Sequence, residues 1–144
     1  MIKGILVAAM LLFPASLHSQ ERRYIDPRMP GDTAVLPFSG AVLAGNTLYI
    51  SGTIGLTERR IPATAEEEAR RVLDDVRSTL QKAGMSMDDL VSVQVFCSDL
   101  SHYGVFNRVY RTYFKKEFPA RAFIGSGPLL FNARFEVQAV AVRR

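Results

Sequence analysis

The chain has 144 residues, 48% of them hydrophobic and 22% charged, enough for one hydrophobic core and too few for two. One Cys and two His exclude an intramolecular disulfide and leave no spacing for a zinc site, so no metal or cofactor is expected. The net charge of +4 is mild, and the basic pairs are scattered among acids, which argues against a nucleic-acid stripe.

Residues 1–19, "MIKGILVAAMLLFPASLHS", carry one Lys, an apolar run from Ile5 to Phe13, then Pro14 and small residues. That order is a secretory signal, and the run is too short to span a bilayer. Cleavage near Ser19 is expected, giving an exported, periplasmic or secreted protein with no membrane attachment afterwards. Residues 20–37 form a polar, proline-containing N-terminal extension, and 38–144 form the domain.

Within the domain, "GAVLAGNTLYISG" predicts a hairpin around Gly45-Asn46. The clearest helix follows from Thr64: Thr64 with Glu67 makes a capping box, acids fill the first turn, and Ala65, Ala69, Val72, Leu73, Val76, Leu80 and Ala83 recur at helical steps until Gly84. Val91, Val93, Val95 and Cys97 then alternate with polar or larger residues in a strand. A second helix is read from "HYGVFNRVYRTYFKKEF", with Phe106, Val109, Tyr110, Tyr113 and Phe114 on one face and Pro119 as its limit. "RAFIGSG" and "RFEVQAVAV" close the chain as strands.

The order β-β-α-β-α-β-β predicts an α+β domain, two helices on one face of a small mixed sheet. The other face carries Tyr49, Phe96, Val140 and Val142, and another subunit is its expected cover. Arg121 opens one C-terminal strand and Glu136 lies in the next, so pairing of those strands would put both on one face. Two readings stay open there: a structural ion pair, or a site in which Arg binds a carboxylate and Glu handles water or a proton. Ser51-Gly52 and the "GSG" after Arg121 add backbone N–H groups where the chain can approach a ligand.

The segments "FSGAVLAGNTLYISGTIG", "ARRVLDDVRSTLQKAGMSMDDLVSVQVFCSDL", "FNRVYRTYF" and "FPARAF" with "FEVQAVAVRR" resemble the RidA-type (YjgF-type) enamine/imine deaminases from Phe38 to Arg144. The resemblance implies a chorismate-mutase-like fold and a homotrimer, its sheets forming a barrel with ligand clefts between subunits. It implies hydrolysis of 2-imino acids, formed from 2-aminoacrylate-type enamines, to 2-oxo acids and ammonia, as a 2-iminobutanoate/2-iminopropanoate deaminase does. Arg121 would clamp the substrate carboxylate and Glu136 would act on water; Ser51, Gly52, Asn107, Phe38 and Phe123 would line the cleft. Phe38 stands where many members have Tyr, Phe123 where Cys is frequent, and the segment before Pro119 is short. A non-catalytic binder of small carboxylates and an endoribonuclease are the alternative functions.

Overall fold

A computed structural model describes residues 21–27, 33 and 35–143; the expected signal at 1–19 lies outside them. Six strands form one sheet: β1 (Arg22–Ile25), β2 (Ala41–Ala44), β3 (Thr47–Ile54), β4 (Leu90–Cys97), β5 (Ala120–Gly125) and β6 (Phe135–Val142). Their spatial order is β1-β2-β3-β6-β4-β5, and only β4 and β5 run parallel. Helices α1 (Ala65–Lys82) and α2 (Tyr103–Arg111) supply the second layer. The expected mixed sheet with two helices is the observed architecture. Among the described residues no helix is long and apolar enough to cross a membrane.

Each end of α1 is satisfied chemically. The Glu67 N–H donates to Thr64 Oγ1 (3.2 Å) and the Thr64 N–H to Glu67 Oε2 (3.1 Å), closing the box that the sequence predicts. At the other end Gly84 takes φ 72°, the left-handed turn that glycine adopts at least cost. Two distant arginines finish the cap: Arg143 Nη2 donates to Ala83 O (2.7 Å) and Arg23 Nη2 to Lys82 O (3.0 Å), placing positive charge where the helix carbonyls end.

The apolar stripe of α1, Ala69, Val72, Leu73, Val76 and Leu80, is buried against Leu48, Ile50, Val95, Phe135 and Val137 of the sheet. Each buried Val, Leu, Ile or Phe side chain in this layer contributes about 1.5–3 kcal/mol through its burial, and Ala69 less. On α2 the buried face is Phe106, Val109 and Tyr110. This helix is shorter than the sequence suggests. Thr112 ends it by donating its hydroxyl to Val109 O (2.7 Å), yet Tyr113 and Phe114 still pack on the core from the turn that follows. The Tyr113 hydroxyl donates to Asp74 Oδ1 (2.8 Å), tying that turn to α1.

β1 is an addition to the expected strands. It pairs with β2, and only its Ile25 is buried, so "RRYI" shows none of the alternation by which a strand is recognised. The sheet face away from the helices stays open: Tyr24 is 62% and Tyr49 53% exposed, beside half-buried Val42, Phe96 and Val140.

Candidate functional site

The pairing that would put Arg121 and Glu136 on one sheet face does not form. Their strands do not pair, because β4 lies between them. Directly paired residues share a face and neighbours along a strand alternate. Arg121 pairs with Val93 and so faces the helices; Glu136 pairs with Phe96, three residues further along β4, and so faces away. Among the described residues no carboxylate pairs with Arg121, which removes the reading of a structural ion pair within the protomer.

On the helix side, the first turns of β5 alternation present Arg121 and Phe123 to α2. Arg121 Nη2 donates to Asn107 Oδ1 (2.7 Å), and its Cζ stands 4.6 Å from the Tyr110 ring centroid and 5.7 Å from that of Phe123. Phe123 meets Tyr103 edge-on (5.0 Å) and Phe106 (5.5 Å), so an aromatic wall stands beside the cation. Arg121, Asn107 and Phe123 therefore come together, each half-buried. Tyr110 joins them, a residue that the sequence reading assigns only to the core. Its hydroxyl is buried with no partner among the described residues, and burial pushes the phenol up to about 12, with Arg121 opposing the shift.

On the open face, the Glu136 carboxylate lies directly against Gly52, where a β-carbon would collide with Oε1. Gly52 sits at an irregularity in the β3–β6 pairing, between Ile50 and Thr53, where the ladder is interrupted. Ser51 is engaged already: its Oγ donates to Ser39 O (2.6 Å) and its N–H to Gly40 O (3.0 Å), fastening the strand entry to β3. Phe38, 52% exposed, borders a shallow groove of about 310 Å³ lined also by Tyr24, Ile25, Pro27 and Leu36. Thus Glu136 and Gly52, with Ser51 next to them in β3, form one candidate half-site and Arg121, Asn107 and Phe123 another, on opposite faces of the same sheet, while Phe38 borders the groove beside β1.

The start of β6 is fixed by a carboxylate that the sequence reading counts only among the first-turn acids of α1. Glu68 is fully buried; its Oε1 accepts from the backbone N–H groups of Arg134 (2.7 Å) and Phe135 (3.1 Å), and Oε2 accepts from Arg134 Nη1 (2.7 Å). Arg134 also donates to Pro62 O and Ala63 O (both 3.1 Å). A buried charge held by three charge-assisted bonds is fully partnered. Its signal was visible: Glu68 falls one turn before Val72, on the apolar stripe, where a charge needs a partner. Cys97 is buried and donates to Asp99 O (3.0 Å), and burial is the main cause that raises its pKa. No group of three His, Cys, Asp or Glu able to hold a metal occurs among the described residues.

A family model described as Endoribonuclease L-PSP matches residues 31–143. The 2-iminobutanoate/2-iminopropanoate deaminase of Mus musculus is 34% identical over 113 residues, covering 76% of this chain and 84% of that protein. Among solved structures, the YjgF gene product of E. coli is 32% identical with a TM-score of 0.73, covering 77% of this chain and 91% of that one. E. coli TdcF with bound serine is 28% identical with a TM-score of 0.76, covering 85% and 100%.

Proposed function

The chain belongs to the Endoribonuclease L-PSP family, that of the YjgF and RidA proteins, and on that basis we propose that it hydrolyses 2-imino acids to 2-oxo acids and ammonia. The observation that carries the reading is Arg121, a cation held by the neutral groups of Asn107 and Tyr110 with no carboxylate on it among the described residues. The guanidinium edge not used by Asn107 is free to take a substrate carboxylate in a two-bond fork. The serine held by TdcF is a small molecule with such a carboxylate.

The chemistry asks little of the protein. The enamine tautomerises to an imine whose carbon is already electrophilic; water adds to give a carbinolamine, which collapses to the 2-oxo acid and ammonia. Clamping the carboxylate fixes which face of the imine meets water. Glu136 orients and polarises that water, takes its proton and passes one to the leaving nitrogen. Ser51 and Gly52 shape the wall beside Glu136, and Phe38 and Phe123 close the apolar sides.

Because the two halves lie on opposite faces of one sheet, a complete site brings the Arg121 half of one protomer to the Glu136 half of another. A homotrimer is the assembly we infer; the exposed Tyr24, Tyr49 and Val142 on the open face support it. The segment "MIKGILVAAMLLFPASLHS" supports an exported protein.

The test is ammonia release from 2-iminopropanoate generated in situ, with RNA cleavage by the same highly purified sample as the comparison. We expect ammonia release, abolished for the most part by Arg121→Lys with the fold intact, since an ammonium cannot reproduce the planar fork. Kinetics unchanged in Arg121→Lys would remove the clamp. A sample that cleaves RNA and releases no ammonia would replace the reading with the endoribonuclease. Light scattering checks the assembly, and a monomer that turns over imine would refute the shared site.

A further inference from the structure

A half-buried arginine ordinarily sits on a carboxylate, which neutralises it. Arg121 has neutral contacts instead: the Phe123 ring at 5.7 Å, from its own strand, and two closer ones that both come from α2. Asn107 and Tyr110 are three residues apart, so their side chains stand one above the other on a single helix face. Asn107 takes one in-plane N–H at 2.7 Å, while the Tyr110 ring meets the cation at 4.6 Å through its face.

One hydrogen bond leaves the guanidinium free to pivot about it; a second contact of a different kind removes that freedom. We propose that Tyr110 is a positioning residue for the carboxylate clamp, its ring forming the surface that fixes the orientation of Arg121 without cancelling its charge. The inference rests on the reading of Arg121 as that clamp. A carboxylate in the place of the ring would compete with the ligand's own; the negative face of an aromatic ring attracts the cation and leaves its N–H edge unoccupied.

The ring is well suited to this because it cannot move away. Tyr110 is only 3% exposed and packs on Phe106 (5.8 Å), Phe114 (4.7 Å) and Phe118 (6.2 Å). Its hydroxyl, with no partner among the described residues, contributes nothing to holding it. A phenol pushed up to about 12 also stays neutral, so the ring acts on Arg121 through its face and not as a phenolate. The ring, and not the hydroxyl, is then the functional part, and Phe in its place retains it.

The experiment compares wild type, Y110L and Y110F as full chains. Calorimetric titration with 2-oxobutanoate reads the clamp, imine turnover separates KM from kcat, and ¹⁵N relaxation of the Arg121 Nε–H reads the freedom of the guanidinium. For Y110L we expect a Kd about tenfold higher, KM affected more than kcat, and a more mobile Arg121 Nε. Y110F brings Kd back to within about threefold of wild type. Where Y110L does not fold, Y110M, closer in volume, carries the same expectations. Unchanged affinity and an equally rigid Arg121 in the aliphatic variant would overturn the proposal, as would equal impairment in Y110F, which would assign the role to the hydroxyl. A wild type that neither binds 2-oxobutanoate nor releases ammonia defeats the clamp reading instead; the relaxation measurement still decides whether the ring restrains Arg121.

Discussion

The Glu136 carboxylate occupies the space into which a β-carbon at Gly52 would project. Backbone of one strand and acid of the next are thus fitted to one another, and the absence of a side chain at 52 is what lets the carboxylate lie there.

Substitution of Gly52 by Ala is therefore expected to displace Glu136 while leaving the sheet assembled, since the clash is with the far end of a flexible side chain. Imine turnover should fall at least about tenfold, with a melting temperature changed by only a few degrees, because a misplaced catalytic group costs more in rate than in stability. Full activity in G52A would show that the present position of the carboxylate is irrelevant to catalysis.

Glu136→Gln separates an enzyme from a binder. Gln keeps the shape and can accept a hydrogen bond, but it cannot take a proton; turnover should fall by about two to four orders of magnitude. Affinity for a 2-oxo acid should hold, and so should stability, because among the described residues Glu136 makes no ion pair that the change could break. Retained turnover would leave a carboxylate-binding protein in which Arg121 matters and Glu136 does not.

Glu68→Ala strands the Arg134 guanidinium and two backbone N–H groups at the start of β6. Removing one partner of a buried pair costs about 3–5 kcal/mol, and thermal unfolding should shift down by about 10 °C or more. A variant that melts with wild type would mean that Arg134 finds equivalent partners at Pro62 and Ala63 alone.

Asp75 gives a pH signature. Burial raises its pKa from 3.8 to about 6, against the pull of Arg71, whose guanidinium lies 2.7 Å away. The folded state therefore holds this proton more tightly than the unfolded one, so stability from this group is greatest below about pH 4 and is lost as pH rises through 6. Relative to wild type, D75N should gain stability at pH 7.5 and lose that advantage at pH 4; a difference in Tm that is the same at both pH values would show that the ion pair with Arg71 keeps the carboxylate charged throughout.

Reading α1 needed only the chain itself, whereas the end of α2 at Arg111 did not show in the sequence. The α1 stripe and its capping box are local patterns, and local patterns survive folding when no tertiary contact opposes them. The site was half legible. Arg121 and Glu136 could be singled out by type and context, and Asn107 only through the resemblance, yet the faces of Arg121 and Glu136 depend on which strand enters between β5 and β6, a non-local fact that alternation within either strand does not contain. Tyr110 was hidden for another reason: an aromatic on a helix stripe looks like core, and Tyr110 is core that also touches a charge. β1 escaped notice because an edge strand with one buried residue has almost no periodicity to detect.

The place of β6 bears on how the molecule is made. The strand that comes last in chain order among the described residues is central in the sheet, with β1, β2 and β3 on one side and β4 and β5 on the other. Until residues 135–142 emerge, a nascent chain holds two half-sheets that no ladder joins, each with an unpaired inner edge. Closure of those edges waits for β6 and is dominated by contacts distant in sequence, and so is correspondingly slow. A chain truncated before Phe135 would lose more than one strand, since it would keep two sticky borders and the capacity to join other chains through them.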